Sequence, residues 1–133
     1  MLLGKNISGP AEFSFEYFNN NGFIGCKCSK CSEKIILDID ISKSGKLLEQ
    51  ITNELDETIL NQLIKKKIIN IKKDTNQADL RLSKYTLWHV DALYLTLVCK
   101  SCNSKFLAIF GMGEVQPGRE QVQFKGIWEL KAI

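Results

Sequence analysis

Five cysteines carry most of the chemistry open to this sequence, and four of them stand in two pairs of equal spacing, Cys28-Ser-Lys-Cys31 and Cys99-Lys-Ser-Cys102. Two intervening residues permit a tight turn that faces both sulfurs toward one ion at ~2.3 Å, with backbone N–H groups turned toward them. Two such pairs supply four thiolates, the full tetrahedral complement of a zinc ion, and leave no position for water or substrate. A metal so held serves the fold and not a reaction. Small polar residues follow each pair, Ser32 after the first and Asn103-Ser104 after the second, and suit the continuation of such a turn. Two other readings of the pairs stay open: a dithiol redox site, which needs only one C-x-x-C with a lowered thiol pKa, and inert buried thiols.

The remaining candidates for chemistry are few. Cys26 offers itself as a substitute for Cys28, although four residues from Cys31 is a less usual spacing, or as a packed free thiol. His89, the one histidine, stands in the apolar run Leu87-Trp88-His89-Val90, as a further ligand or as a hydrogen-bonded core or surface residue. Asp38 and Asp40 alternate with isoleucines, which a solvated strand face explains without proton transfer. The glycine-bearing stretch Gly111 to Gly118 has neither the lysine and hydroxyl of a phosphate loop nor a following helix. With no G-x-S-x-G and no base beside a nucleophile, the expectation is a protein that binds and does not catalyse.

Charge narrows the partners. The formal net charge is +3, and it falls to about +1 once four thiolates and one divalent ion are counted. So small a charge gives little general attraction to nucleic acid or to acidic membranes. Two local surfaces qualify as contact sites. Lys65, Lys66 and Lys67, with Lys72 and Lys73 beyond, can meet phosphates or an acidic protein surface, or can simply complement the C-terminal end of a helix. Glu114, Arg119 and Glu120 lie near a Pro117-Gly118 pair that suits a type II turn between two apolar strands.

The elements that must position the cysteines follow from hydrophobic period. Residues 11–18 alternate Phe13, Phe15 and Tyr17 against polar neighbours, and Lys34 to Ile41 alternate again, which predicts strands on either side of the first pair. Asn19 to Gly22 reads as a turn. Leu47, Ile51, Leu55, Ile59 and Leu63 recur every four residues, with acidic residues early and lysines late, and predict one long helix over 45–68. Leu80 to Val90 holds one or two strands of unassigned register. Ala92 to Val98 is almost continuously apolar, as in a strand buried on both faces, and runs directly into Cys99. Strands over 106–110 and 121–130, with a loop between them, complete the order.

A chain of 133 residues, 44% hydrophobic and 25% charged with two prolines, has the size and composition of one globular domain over 1–133. The fold class expected is α+β, an antiparallel sheet with two cysteine knuckles and one long inserted helix. The first residues lack the pattern of a secretory signal, and no ~18-residue apolar run is present, so the expected compartment is the cytoplasm. A reducing compartment favours metal binding over disulfides for such pairs.

The two C-x-x-C turns and their flanking strands resemble the zinc-ribbon family. Residues 32–98 between them exceed the ~15–20 of a minimal ribbon, so a helix and at least a strand are inserted. The run from Cys99 through Phe106–Glu114, Gly118-Arg119-Glu120 and Gly126-Ile127-Trp128-Glu129 is similar to small bacterial immunity-type proteins with a zinc ribbon. That resemblance implies one structural zinc ion and a protein partner, a cognate toxin domain. The alternative from another class is a nucleic-acid-binding ribbon protein using Lys65 to Lys73 with Lys27, Lys30 and Lys100.

Overall fold

The structure, a computed structural model, describes residues 1–7, 12–16, 21–40, 46–71, 85–87, 90–116 and 119–132, with backbone alone at 12–16, 21–24, 37–40, 90, 113–116 and 119–122. His89, Trp88, Lys72, Lys73, Leu80, Leu82 and the Pro117-Gly118 turn lie outside the described residues, as do the side chains of Asp38, Asp40, Glu114, Arg119 and Glu120.

The described residues form two antiparallel sheets. The larger is seven-stranded and is built on β8 (Val90–Val98), β9 (Lys105–Gln116) and β10 (Arg119–Lys131). β1 (Leu2–Asn6) adds to β10 at one side; β7 (Tyr85–Leu87) and β6 (Asn70–Ile71) extend the other, and β5 (Lys46–Leu47) also pairs with β8. The smaller sheet is β2 (Glu12–Glu16), β3 (Asn21–Lys27) and β4 (Lys34–Asp40), in that order. This is the expected α+β class.

Both faces of the large sheet are covered at its centre, which accounts for the nearly continuous apolar run of β8 over 92–98. Ala92, Tyr94, Leu107, Ile109, Trp128 and Leu130 point to a core shared with Leu3 and the helical segment. Leu97, Phe106, Ala108 and Ile127 point the other way, to a core completed by Cys26, Cys28, Cys99 and Ile35. The smaller sheet therefore packs through β3 and β4 onto the face opposite the helices. Among the described residues no helix is long and apolar enough to cross a membrane.

The single long helix expected over 45–68 is not formed. Its place is taken by a 3-10 turn at Leu48–Gln50 and two short helices, α1 (Ile51–Glu54) and α2 (Glu57–Lys65). The break falls at Asp56, whose extended backbone and carboxylate, accepting from Thr58 N–H at 3.0 Å, make it the N-cap of α2. The four-residue period survives the break, because Ile51, Ile59 and Leu63 are all fully buried. α2 closes with paired bonds, Ile68 N–H to the Leu63 carbonyl and Lys67 N–H to the Ile64 carbonyl, with Lys67 at φ 59°. That is a Schellman ending in which a lysine holds the left-handed position usually given to glycine, and Ile68 packs with Leu63 in the core.

Two further expectations are corrected. The turn expected at 19–22 gives way at Asn21 and Gly22 to the start of β3, which pairs with both β2 and β4. The loop expected between the last two strands is mostly ladder: Gly111 pairs with Gln123, and Gly113 with Gln121. Glycines there weaken a strand, but pairing on β10 through this stretch offsets that cost.

Candidate metal centre

Cys28 and Cys31 sit in the turn from β3 to β4, and Cys99 and Cys102 in the turn from β8 to β9. The two turns have the same backbone. In the first, Cys28 N–H donates to the Glu33 carbonyl at 2.9 Å and Ser32 N–H returns to the Cys28 carbonyl at 3.0 Å. In the second, Cys99 N–H donates to the Ser104 carbonyl at 2.9 Å and Asn103 N–H to the Cys99 carbonyl at 2.8 Å. Each turn needs one residue at positive φ, Ser32 at 63° and Asn103 at 60°. Asparagine enters that region more readily than most residues after glycine, and Ser32 holds the equivalent place in the first turn, so the polar residue after each C-x-x-C continues the turn.

The turns face one another and bring the four sulfurs within 4.8 Å of each other. Contacts cross between turns: Cys28 Sγ to Cys102 Sγ and Cys31 Sγ to Cys99 Sγ are both 3.5 Å. Four sulfurs at ~2.3 Å around a tetrahedral ion stand about 3.8 Å apart, so this cluster has the right size for one metal ion. Each turn contributes one buried cysteine, Cys28 and Cys99, rooted in the apolar core, and one exposed cysteine, Cys31 and Cys102. Ion entry can therefore proceed from the exposed side.

Local dipoles already favour thiolates. Burial raises the Cys28 thiol, but the backbone N–H groups of Cys31 and Lys30 outweigh it and leave it below its ordinary value. The Ser104 hydroxyl, 3.1 Å from Cys102 Sγ, and the Ser104 N–H bring Cys102 down to about 6. Cys31 goes the other way. The Glu33 N–H favours its ionised form, yet desolvation and the adjoining sulfurs of Cys99, Cys102 and Cys28 push it up to about 12. Four thiols this close cannot all ionise without a cation among them, and a metal ion supplies that charge while releasing protons.

Cys26 does not join the cluster. It is buried in the apolar core, paired with Ile35 across β3 and β4. Burial first, and then the neighbouring Cys28 and Cys99, raise its thiol, so it packs as a small apolar residue.

Glu129 is a participant that spacing did not reveal. It pairs with Phe106 on the metal-side face of β10, accepts from Ser29 Oγ at 2.6 Å inside the first turn, and accepts from Lys5 N–H of β1 at 3.2 Å. The Ser29 hydroxyl, followed by the Lys5 N–H and the charges of Lys131 and Lys5, holds its carboxyl below the ordinary range. One hundred residues separate Ser29 from Glu129, so no local pattern could have signalled the contact.

The lysines and the acidic hairpin lie apart from this centre in the chain. Lys65 ends α2, Lys66 caps it, Lys67 turns the chain, and all three are exposed. Lys66 Nζ reaches the Leu3 carbonyl at 3.4 Å. Glu114 stands opposite Glu120, and Arg119 opposite Gln116, at the far end of the β9–β10 ladder.

Comparison with known proteins returns no matching family model, no similar curated protein and no similar solved structure.

Proposed function

We propose that this chain is a zinc-stapled protein-interaction module of ribbon type, and that its interaction is inhibitory: it neutralises a toxin domain by covering it, as small bacterial immunity proteins do. The observation that carries the first half is the convergence of Cys28, Cys31, Cys99 and Cys102 within 4.8 Å. An all-sulfur, tetrahedral-sized site selects zinc among common divalent ions, and with four protein ligands it has no open position for substrate. Zinc then acts by tying two distant turns together, a structural role.

The second half is supported by the sequence resemblance from Cys99 to Glu129, and by a small scaffold whose metal is fully ligated, which leaves surface recognition as its means of action. Two measurements test the reading. Elemental analysis of protein purified without chelators should give one zinc per chain; a metal-free, fully folded protein overturns the first half. Co-expression with the product of the neighbouring gene should protect cells from that product and yield a complex. A harmless neighbour that does not bind overturns the second. If instead the protein bound DNA or RNA with affinity falling steeply in salt, a nucleic-acid role through Lys65, Lys67 and Lys100 would replace it.

A further inference from the structure

Beside the metal centre lies a groove of about 380 Å³, with Lys34, Ile35 and Ile36 of β4 on one wall and Thr96, Leu97 and Val98 of β8 on the other. Successive residues of a strand point to opposite faces, so a cavity touched by three consecutive residues of each strand runs along strand edges and not over a sheet face. The sheet order agrees. Among the described residues β4 pairs only with β3, and Leu95 to Val98 of β8 pair only with β9. Both walls thus present backbone N–H and C=O groups to the groove without a described ladder partner, an arrangement that accepts an added strand.

The side chains define what that strand must carry. Ile35 and Leu97 are buried at the base, whereas Ile36 and Val98 are 51% and 48% exposed. They are two of the four large apolar residues left exposed among the described ones. Lys34 stands two residues before Ile36 on the same strand face, and Lys100 stands two residues beyond Val98 in the second cysteine turn. Among the described lining residues Glu33 is the one acidic residue. The buried Ile35 and Leu97 at the base, with the two ammonium groups on the outward side, complement an extended segment whose apolar residues face inward and whose acidic residues face outward, an alternation along the chain.

We infer that the groove between β4 and β8 binds an extended, acidic–apolar segment of a partner protein by strand addition. The inference rests on the protein-binding reading above and gives it a surface. It also gives the metal a second consequence, because the turns that hold the sulfurs are continuous with both walls: β4 leaves the first turn and β8 enters the second. The ion fixes the spacing of the two edges.

The experiment uses zinc-loaded full-length protein and two blocked seven-residue peptides, one alternating valine with aspartate and the other valine with lysine. Amide chemical shifts should move at residues 33–36 and 96–101 with the aspartate peptide, and that peptide should bind at least tenfold more tightly than the lysine one. The double variant Lys34→Glu, Lys100→Glu should reverse this preference. Ile36→Ser and Val98→Ser should each weaken binding several-fold while leaving zinc content and the unfolding midpoint unchanged, which separates loss of the surface from loss of the fold. No shift at peptide concentrations of about 1 mM, shifts confined to other residues, or equal binding of both peptides overturns the inference. The neighbouring gene product tests the two readings separately. If it binds wild type and the three variants alike, the groove is the wrong surface and the protein-binding reading stands. If it does not bind wild type while the aspartate peptide does, the groove stands and the toxin assignment falls.

Discussion

The two faces of the large sheet are held by different means. On one face Leu48, Ile51, Ile59, Leu60 and Leu63 pack against Tyr94, Leu107, Ile109 and Trp128, a core of ordinary apolar burial. On the other, three of the buried residues are cysteines, and the partner is a small sheet that closes on the large one through Cys26, Cys28 and Ile35. A three-stranded sheet has little apolar surface of its own to offer, and small units of that kind commonly depend on a staple. The helical face can be stable by packing alone. The cysteine face offers four convergent sulfurs that could hold an ion, and it is expected to depend on one.

Removing the metal breaks this comparison most severely. Chelation should cost roughly 5 kcal/mol or more, and the loss should be uneven. Hydrogen exchange should accelerate in β3, β4 and the two cysteine turns while the centre of β9 and α2 stay protected. Lower pH should promote the same release, since protons compete with the metal for sulfur. Uniform loss of protection, or none, would mean the faces are not independently held. The converse lesion is Leu63→Ala on the helical face. A fully buried leucine leaves a cavity, and the expected loss is about 3 kcal/mol with one zinc per chain retained. A parallel fall in metal content would show that the two faces act as one.

The difference between the faces also decides what could be read from the sequence. The cysteine cluster was legible because a shared ion demands a spacing, C-x-x-C twice, each followed by small polar residues; the positive φ that Ser32 and Asn103 adopt was not. β8 was legible because burial on both faces at the sheet centre leaves a nearly continuous apolar run. The helix break was hidden, since Leu55 and Asp56 interrupt the backbone without interrupting the apolar period. β1 was hidden too: Leu2 to Asn6 shows no alternation, and its pairing with Trp128 to Lys131 is set at the other end of the chain. In β10 the register skips a residue between Phe124 and Gly126. That bulge moves the inward positions from Phe124 to Ile127, so a strict two-residue period fails just where the strand is longest.

A smaller change should sharpen the comparison by loosening the link between the two faces' elements. Glu129 joins the first cysteine turn to β10 and β1 through Ser29 and Lys5. Glu129→Ala removes a charged acceptor from both donors and should cost about 1–2 kcal/mol. Zinc should still bind, because no ligand is lost, but it should exchange faster into a competing chelator, and the amides of residues 28–33 should lose more protection than those of 99–104. Equal loss in both turns would show that Glu129 supports the sheet generally and not the first turn. Tyr94→Phe serves as the matched lesion on the helical face. The Tyr94 hydroxyl donates to Glu54 at 2.8 Å, while Lys46 continues to pair with that carboxylate. Its loss should lower stability by about 1 kcal/mol without altering zinc exchange.

The smallest expected effect is a pH dependence that belongs to the helical face alone. The amino group of Met1, at 2.8 Å, and the Thr58 N–H hold the Asp56 carboxyl down to about 2, below its ordinary value of 3.8. A carboxyl whose pKa is depressed on folding stabilises the native state above its unfolded value, and loses that contribution as pH falls through the folded one. The Asp56 contribution should therefore be fully present above about pH 5 and fade between about pH 4 and pH 2. Asp56→Asn keeps an N-cap acceptor while removing the charge. It should lower the unfolding midpoint slightly at pH 6 and flatten the Asp56 component of the acid limb. Proton competition at the cysteines also acts in acid, so the comparison is made on metal-free protein, where a retained helical face must still show the Asp56 difference. If wild type and Asp56→Asn titrate identically there, the cap's charge does not stabilise α2, and its carbonyl-like acceptor alone accounts for the break between the two short helices.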